Sequence, residues 1–307
     1  MKVALLSGGV GGARFARGVV DVVDPRGVTV IGNVGDDLEV LGLHVSPDLD
    51  SVVYALADLS DEQRGWGRAD ESWNALGTVA ALGGETWFLL GDRDLGVHLH
   101  RTQALRAGEP LSAVTRRIAE RLGVGATLLP ATDDRLRTWI TTAVGELTFQ
   151  QWFVARAHKD EVHALRFEGA DTATPAPGVL AAIAAADLIL IAPSNPYISI
   201  APILAVREIR DALASRTVPC VAVSPLIGGR AVKGPADRML ARLAGGTSPR
   251  HVAACYEGLI DALVVDESDA HDVDGLGGVR TIVTHTLMRD ADARRRLAEA
   301  ALGGVPA

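Results

Sequence analysis

Residues 2–15 read KVALLSGGVGGARF, and the fold is decided there. A short continuous apolar run runs into Ser7, and Gly8, Gly9, Gly11 and Gly12 follow within five positions. Such a run fits a parallel strand covered on both faces. A glycine-rich turn entering a helix aims free backbone N–H groups and the positive end of the helix dipole at an anion. The stretch matches neither standard phosphate template. A P-loop needs Lys and then Ser or Thr after its last glycine, where Ala13 and Arg14 stand; the dinucleotide fingerprint starts at Gly9 and Gly11 but has Arg14 in its sixth place.

Working outward, strand candidates recur at 2–7, 28–33, 86–90, 187–193, 220–225 and 262–267. Helical stretches fit at 13–23, 48–58, 72–83, 200–215, 234–244 and 289–302. This alternation predicts an α/β fold, a doubly wound, mostly parallel Rossmann-like sheet. Residues 125–169 break the rhythm with Thr, Trp, Phe and Val separated by glycine turns, and TTAVGELTF (141–149) reads as a hairpin. The expected organisation is a nucleotide-binding core of 1–124 and 178–307 with an α+β insertion at 125–177.

Ligands of open α/β sheets sit beyond the carboxyl ends of the strands. Those ends read SGGVGG (7–12), NVGDD (33–37), GDRDL (91–95), SNP (194–196) and SPLIGG (224–229), all polar or glycine-rich. Phosphate would meet Gly9, Gly11, Gly12 and Arg14. Ser194, Asn195, Ser224, Gly228 and Gly229 offer neutral hydrogen bonds to a nucleoside. Asp36 and Asp37, with Asp48 and Asp50 in the helix start SPDLD (46–50), crowd four carboxylates at one end of the sheet, which is costly without a cation. Mg²⁺ suits such a place, since it takes one or two carboxylates together with phosphates and waters. Asp92, Arg93 and Asp94, expected directly after a strand, are placed to orient a substrate hydroxyl or phosphate. His98 and His100 diverge on a helix and read as a surface pair. No nucleophile elbow is evident.

Composition narrows the partners. Acidic residues outnumber basic ones by 38 to 30, which argues against nucleic acid and anionic membranes. No apolar run approaches the ~20 residues of a spanning helix, and the start is too polar for a signal peptide, so a cytoplasmic location is expected. Cys220 lies within a buried-strand pattern, VPCVAVSP, and no disulfide framework is suggested.

Taken in order, GGVGGARF, NVGDD, SPDLDSV, RGWGRADESWNA, LGDRDL, LLPATDD, FQQWFV, APSNP and SPLIGG with KGPAD resemble the 2-phospho-L-lactate transferase family of coenzyme F-420 biosynthesis, over almost the whole chain. GGARF and RGWGRADESWN look most like its actinobacterial phosphoenolpyruvate branch. The resemblance implies a Mg²⁺-assisted transferase. It moves a phosphoenolpyruvyl or 2-phospholactyl group from a guanosine diphosphate conjugate to the deazaflavin alcohol FO, with GMP leaving. It further implies that Asp36 and Asp50 are catalytic and hold the metal with Asp37 or Asp48 nearby, and that Asp50 and Arg93, beside Asp92, bind the acceptor. A homodimer paired through the insertion is expected. Two rivals share the fold: a regulatory protein binding a nucleotide sugar or dinucleotide, which has no need of the acidic cluster, and a nicotinamide-dependent dehydrogenase, which lacks its third glycine here.

Overall fold

The computed structural model describes residues 1–274 and 276–303. Seven strands form the central sheet: β1 (Val3–Ser7), β2 (Val28–Gly32), β3 (Thr127–Pro130), β4 (Leu188–Ile191), β5 (Cys220–Val223), β6 (Ala262–Asp266) and β7 (Arg280–Thr284). Every pairing is parallel, in the order β7-β6-β5-β4-β1-β2-β3. The chain therefore starts in mid-sheet, winds outward through β2 to β3, and returns to β4 on the other side of β1. Its strands β1, β4 and β5 are buried at every position, as continuous apolar runs require.

Helices cover both faces. α1 (Gly9–Val20), α2 (Pro47–Leu56) and the helix Ala291–Gly303 pack together, as do Val179–Ala185 and Arg207–Ala214. α1 approaches Ala291–Gly303 so closely that a Cβ on Gly18 would lie 2.5 Å from the Arg294 carbonyl oxygen. Three further helices, α3 (Asn74–Ala81), α4 (Asp92–Arg106) and α5 (Leu111–Arg121), fill the long connection from β2 to β3.

The hairpin expected at TTAVGELTF forms: Arg137–Thr142 pairs antiparallel with Gly145–Thr148, and Ala164–Glu168 completes a three-stranded sheet. It has its own small core of Ile140, Phe149, Trp152 and Val162, which meets Ile198 and Met239 of the main body. Thr127–Pro130 lies at the edge of the main sheet, so the separate sheet begins at Arg137.

One expected strand is absent. Residues 86–90, TWFLL, form an irregular segment without strand pairing. Trp87, Phe88 and Leu89 are apolar because they line a cavity, not because they sit in a sheet. The third strand of the first half is instead TLLP at 127–130.

Two glycines test the packing with opposite signs. Gly18→Ala should lower the unfolding free energy by about 1–3 kcal/mol through overpacking against a neighbouring backbone. Gly77→Ala, where a Cβ meets nothing within 4 Å, should raise it by about 0.8–1 kcal/mol through helix propensity. Urea denaturation of the two variants reads both; the same sign for both contradicts the packing described.

Candidate active site

The strand order reverses between β1 and β4, and a crevice opens there beyond their carboxyl ends. It leads into a cavity of about 720 Å³ whose wall includes Gly8, Gly9, Gly11 and Arg14 after β1, and Ser194 and Asn195 after β4. The glycines are needed by the protein's own chain. A Cβ on Gly8 would stand 2.7 Å from Asp48 Oδ2, and one on Gly12 would stand 2.5 Å from Ser7 Oγ and 2.6 Å from Ser194 Oγ. A Cβ on Gly11 would lie 3.0 Å from the Pro193 carbonyl oxygen. Only Gly9, at φ +67°, has room above it, with Ser199 Oγ at 3.6 Å. Close packing seats the start of α1 between α2 and the loop after β4; Gly9 and Gly11 then face the cavity, and Gly12 lies beneath it.

The four aspartates expected together fall into three settings. Asp36 and Asp48 are both buried and both line the cavity. The Asn33 side-chain amide donates to Asp48 Oδ2 at 2.9 Å and more loosely to Asp36 Oδ1 at 3.4 Å. Burial raises the Asp48 carboxyl to about 6, against the opposing hydrogen bonds from Asn33 and the Gly9 amide. Burial, followed by the charges of Asp48 and Asp37, pushes Asp36 well above the usual carboxylate range. Asp37 turns away: its Oδ2 accepts from Ser46 Oγ at 2.8 Å and faces His44 Nε2 at 3.0 Å. Asp50 lines the cavity but is held by Arg101, whose two terminal nitrogens each donate to one carboxylate oxygen.

Among the described residues, no group of three or more His, Cys, Asp or Glu side chains comes together to hold a metal. The arrangement is thus a carboxylate pair, Asp36 with Asp48, and not the set of four. That pair could hold Mg²⁺: two buried carboxyls share one neutral amide, and the ion takes its remaining ligands from phosphate and water.

The residues at 92–101 are sorted by the start of α4. Asp92 faces out and caps α3, accepting from Ser72 Oγ at 2.6 Å and from the Asn74 and Ala75 amides at 3.0 Å each; those bonds hold its carboxyl far below the usual range. The Arg93 guanidinium is 52% exposed, 3.6 Å from Asp70. Neither Asp92 nor Arg93 lines the cavity. Asp94 and His98, one turn apart, do. His98 is buried, with Nδ1 accepting from Arg101 at 3.3 Å, so the surface reading of the histidine pair holds for His100 only. Burial drives His98 down to about 4, which keeps it neutral at pH 7. Of the three residues expected to orient substrate, only Asp94 lines the cavity; sequence reasoning took His98 for a surface residue and missed Arg101 because it placed this stretch after a strand. The i, i+4, i+7 spacing of Asp, His and Arg on one helix face was the available signal.

The nucleoside side is only partly as expected. Ser194 Oγ donates to the Gly8 carbonyl at 2.7 Å, tying the loop after β4 to the glycine turn, and Ser194, Asn195 and Ser224 line the cavity. Gly228 and Gly229 do not line it: their amides donate to the Asp269 carboxylate at 3.0 and 2.8 Å and fix a hairpin turn. Trp66, Trp87, Phe88, Phe149 and Phe153 supply aromatic wall, the last two from the segment that follows the hairpin. Lys233 reaches across the mouth to the Gly65 carbonyl at 3.4 Å.

Fold and site together define a doubly wound α/β protein with a glycine turn beside a buried pair of carboxyls. The chain belongs to the 2-phospho-L-lactate transferase family: the family model described as 2-phospho-L-lactate transferase CofD matches residues 3–292. It is 44% identical over 310 residues to the phosphoenolpyruvate transferase of Streptomyces griseus, covering 98% of each chain. To that of Thermobifida fusca it is 43% identical over 316 residues, covering 98% of this chain and 97% of the relative. Its fold is similar to crystal structures of protein BH3568 from Bacillus halodurans, a member of the UPF0052 family, with TM-scores of 0.66 and 0.65 at 20% identity. These cover 98% of this chain and 98–99% of that one, and speak for the fold alone. No helix among the described residues is long and apolar enough to cross a membrane.

Burial raises Asp94 to about 6. A carboxyl raised on folding favours the folded state most below the ordinary range, and that contribution is lost as pH climbs from about 4 to about 6. Asp94→Asn should therefore gain stability relative to the parent between pH 4.5 and 7.5, as read by urea melts at both values. A constant difference contradicts this setting for Asp94.

Proposed function

We propose that the chain transfers a phosphoenolpyruvyl group from a guanosine diphosphate conjugate to a primary hydroxyl of the deazaflavin FO, releasing GMP, in coenzyme F-420 biosynthesis. The observation that carries this reading is identity above 40% to phosphoenolpyruvate transferases along nearly the full chain. The cavity supports it: its wall combines acidic and glycine-rich groups with aromatic side chains, which suits a phosphate donor meeting a flat acceptor.

The donor's diphosphate would lie on the start of α1, with Gly9 and Gly11 at the turn. Asp36 and Asp48 would hold Mg²⁺, which supplies Lewis-acid neutralisation of the diphosphate when bound. Ser194, Asn195 and Ser224 offer hydrogen bonds to the guanosine half. Asp50, fixed by Arg101, keeps a lone pair on each oxygen for the acceptor hydroxyl. As the new oxygen–phosphorus bond forms, the bond to GMP breaks, and the hydroxyl proton passes to Asp50. Catalysis is then chiefly positioning and electrostatics. Arg93 and Asp92 lie outside the cavity wall, so a direct part for them requires the 60–94 region to move on binding. Two copies are proposed to pair through the insertion, where Val144 is 59% exposed at the hairpin tip.

Mass spectrometry of the product made from FO with each guanylylated three-carbon acid tests the reaction. A phosphoenolpyruvyl adduct of FO is expected; no adduct with either acid contradicts the reading. Chelation of divalent ions should abolish turnover. Asp48→Asn and Asp36→Asn should each lower kcat by a factor on the order of 10²–10³. Undiminished turnover in either variant removes the metal assignment.

A further inference from the structure

A second cavity of about 260 Å³ adjoins the first. The two share a wall made of Val10, Arg14, Ser51, Gly65, Trp66 and Gly67. The side cavity is lined by three arginines, Arg14, Arg17 and Arg294, and by three acids, Asp58, Asp61 and Glu62. The acids are already engaged. Asp58 pairs with Arg17 at 3.0 Å, Glu62 with Arg294 at 2.8 Å, and Asp61 with Arg64 at 3.4 Å. Arg17 also holds Asp21 at 3.1 Å.

Arg14 is left over. It makes no ion pair and no side-chain hydrogen bond among the described residues, and its Nε is buried without a partner. The Arg14 charge acts on Glu62, but that carboxyl is held down first by its bond to Arg294. A half-buried guanidinium with free donors is a costly arrangement unless an anion completes it. Arg14 is also the one cation common to both cavities, one turn of α1 beyond the glycines that face the main cavity. Ser51, in the same shared wall, directly follows Asp50 on α2.

We infer that the side cavity receives the carboxylate of the three-carbon acid carried by the donor phosphate, and that Arg14 is the residue that reads it. This rests on the transferase reading above. A phosphoryl group seated on the glycine turn has its substituent beside the shared wall. Arg14 is the guanidinium of that wall that no acid holds among the described residues, and its free donors suit a single carboxylate. A planar guanidinium binds a carboxylate through two parallel N–H···O bonds, which a lysine does not reproduce. Arg14 thereby separates donors that bear an acid from plain guanosine diphosphate.

The test is calorimetric titration of the parent, Arg14→Gln and Arg14→Lys with two probes in the presence of Mg²⁺, namely guanylylated phosphoenolpyruvate and GDP. Arg14→Gln should weaken the acid-bearing conjugate on the order of ten- to a hundredfold and leave GDP within about twofold. Arg14→Lys should fall between. Retained GDP affinity shows that the variants are folded. Equal losses for both probes would make Arg14 a general phosphate contact and overturn the inference, as would unchanged affinity for both. Should the parent itself bind GDP but not the conjugate, the transferase reading fails instead, which is a distinct result.

Discussion

Two carboxyls buried side by side are the constraint around which the site is organised. Asp36 lies in the loop after β2 and Asp48 in the first turn of α2; both are nearly inaccessible, and the Asn33 amide donates to both. A fold that only needed a tight turn there would not bury two such groups together, because burial penalises the charged form of each and the Asp48 charge adds to the cost at Asp36. The glycine turn answers the same demand from the other side. Gly8 has no side chain because Asp48 occupies that space. The glycine turn and the paired acids thus meet across less than the width of a side chain, the arrangement from which the proposed binding of a phosphate with its counter-cation is drawn.

The remaining polar groups are held by long-range partners that free this pair for binding. His44 and Ser46 take Asp37 out of the cavity, and Arg101 fixes Asp50. Arg101 is wholly buried, so its partner is not optional: a guanidinium stranded there would cost several kcal/mol. The segment that follows the hairpin contributes Gln150, whose amide approaches Asp36, together with Phe149 and Phe153 of the aromatic wall. The insertion is therefore part of the site and not an appendage.

Much of this was legible in the residues. β1, β2, β4, β5 and β6 announce themselves as continuous apolar runs because they are covered on both faces. β7, RTIVT, lies at the sheet edge with exposed positions and gives no such run. TWFLL misled for the converse reason, being apolar toward a ligand cavity. α4 escaped notice because its apolar residues form no one-sided stripe; its inward face carries Asp94, His98 and Arg101. The aspartate cluster could be read from NVGDD and SPDLD. Which two of the four would remain open could not, since Arg101 and His44 reach them from 51 and 7 residues away. Likewise, nothing local to SPLIGG reveals that Asp269 claims the amides of Gly228 and Gly229.

The account turns on a cation between Asp36 and Asp48 with a diphosphate on the turn beside it. A crystal of the protein grown with GDP and Mn²⁺, examined by anomalous scattering at the manganese edge, addresses this directly. A peak bridging those two carboxylates, with phosphate density at Gly9 and Gly11, is the expected result. Manganese bound by other residues, or phosphates seated away from the start of α1, would contradict it.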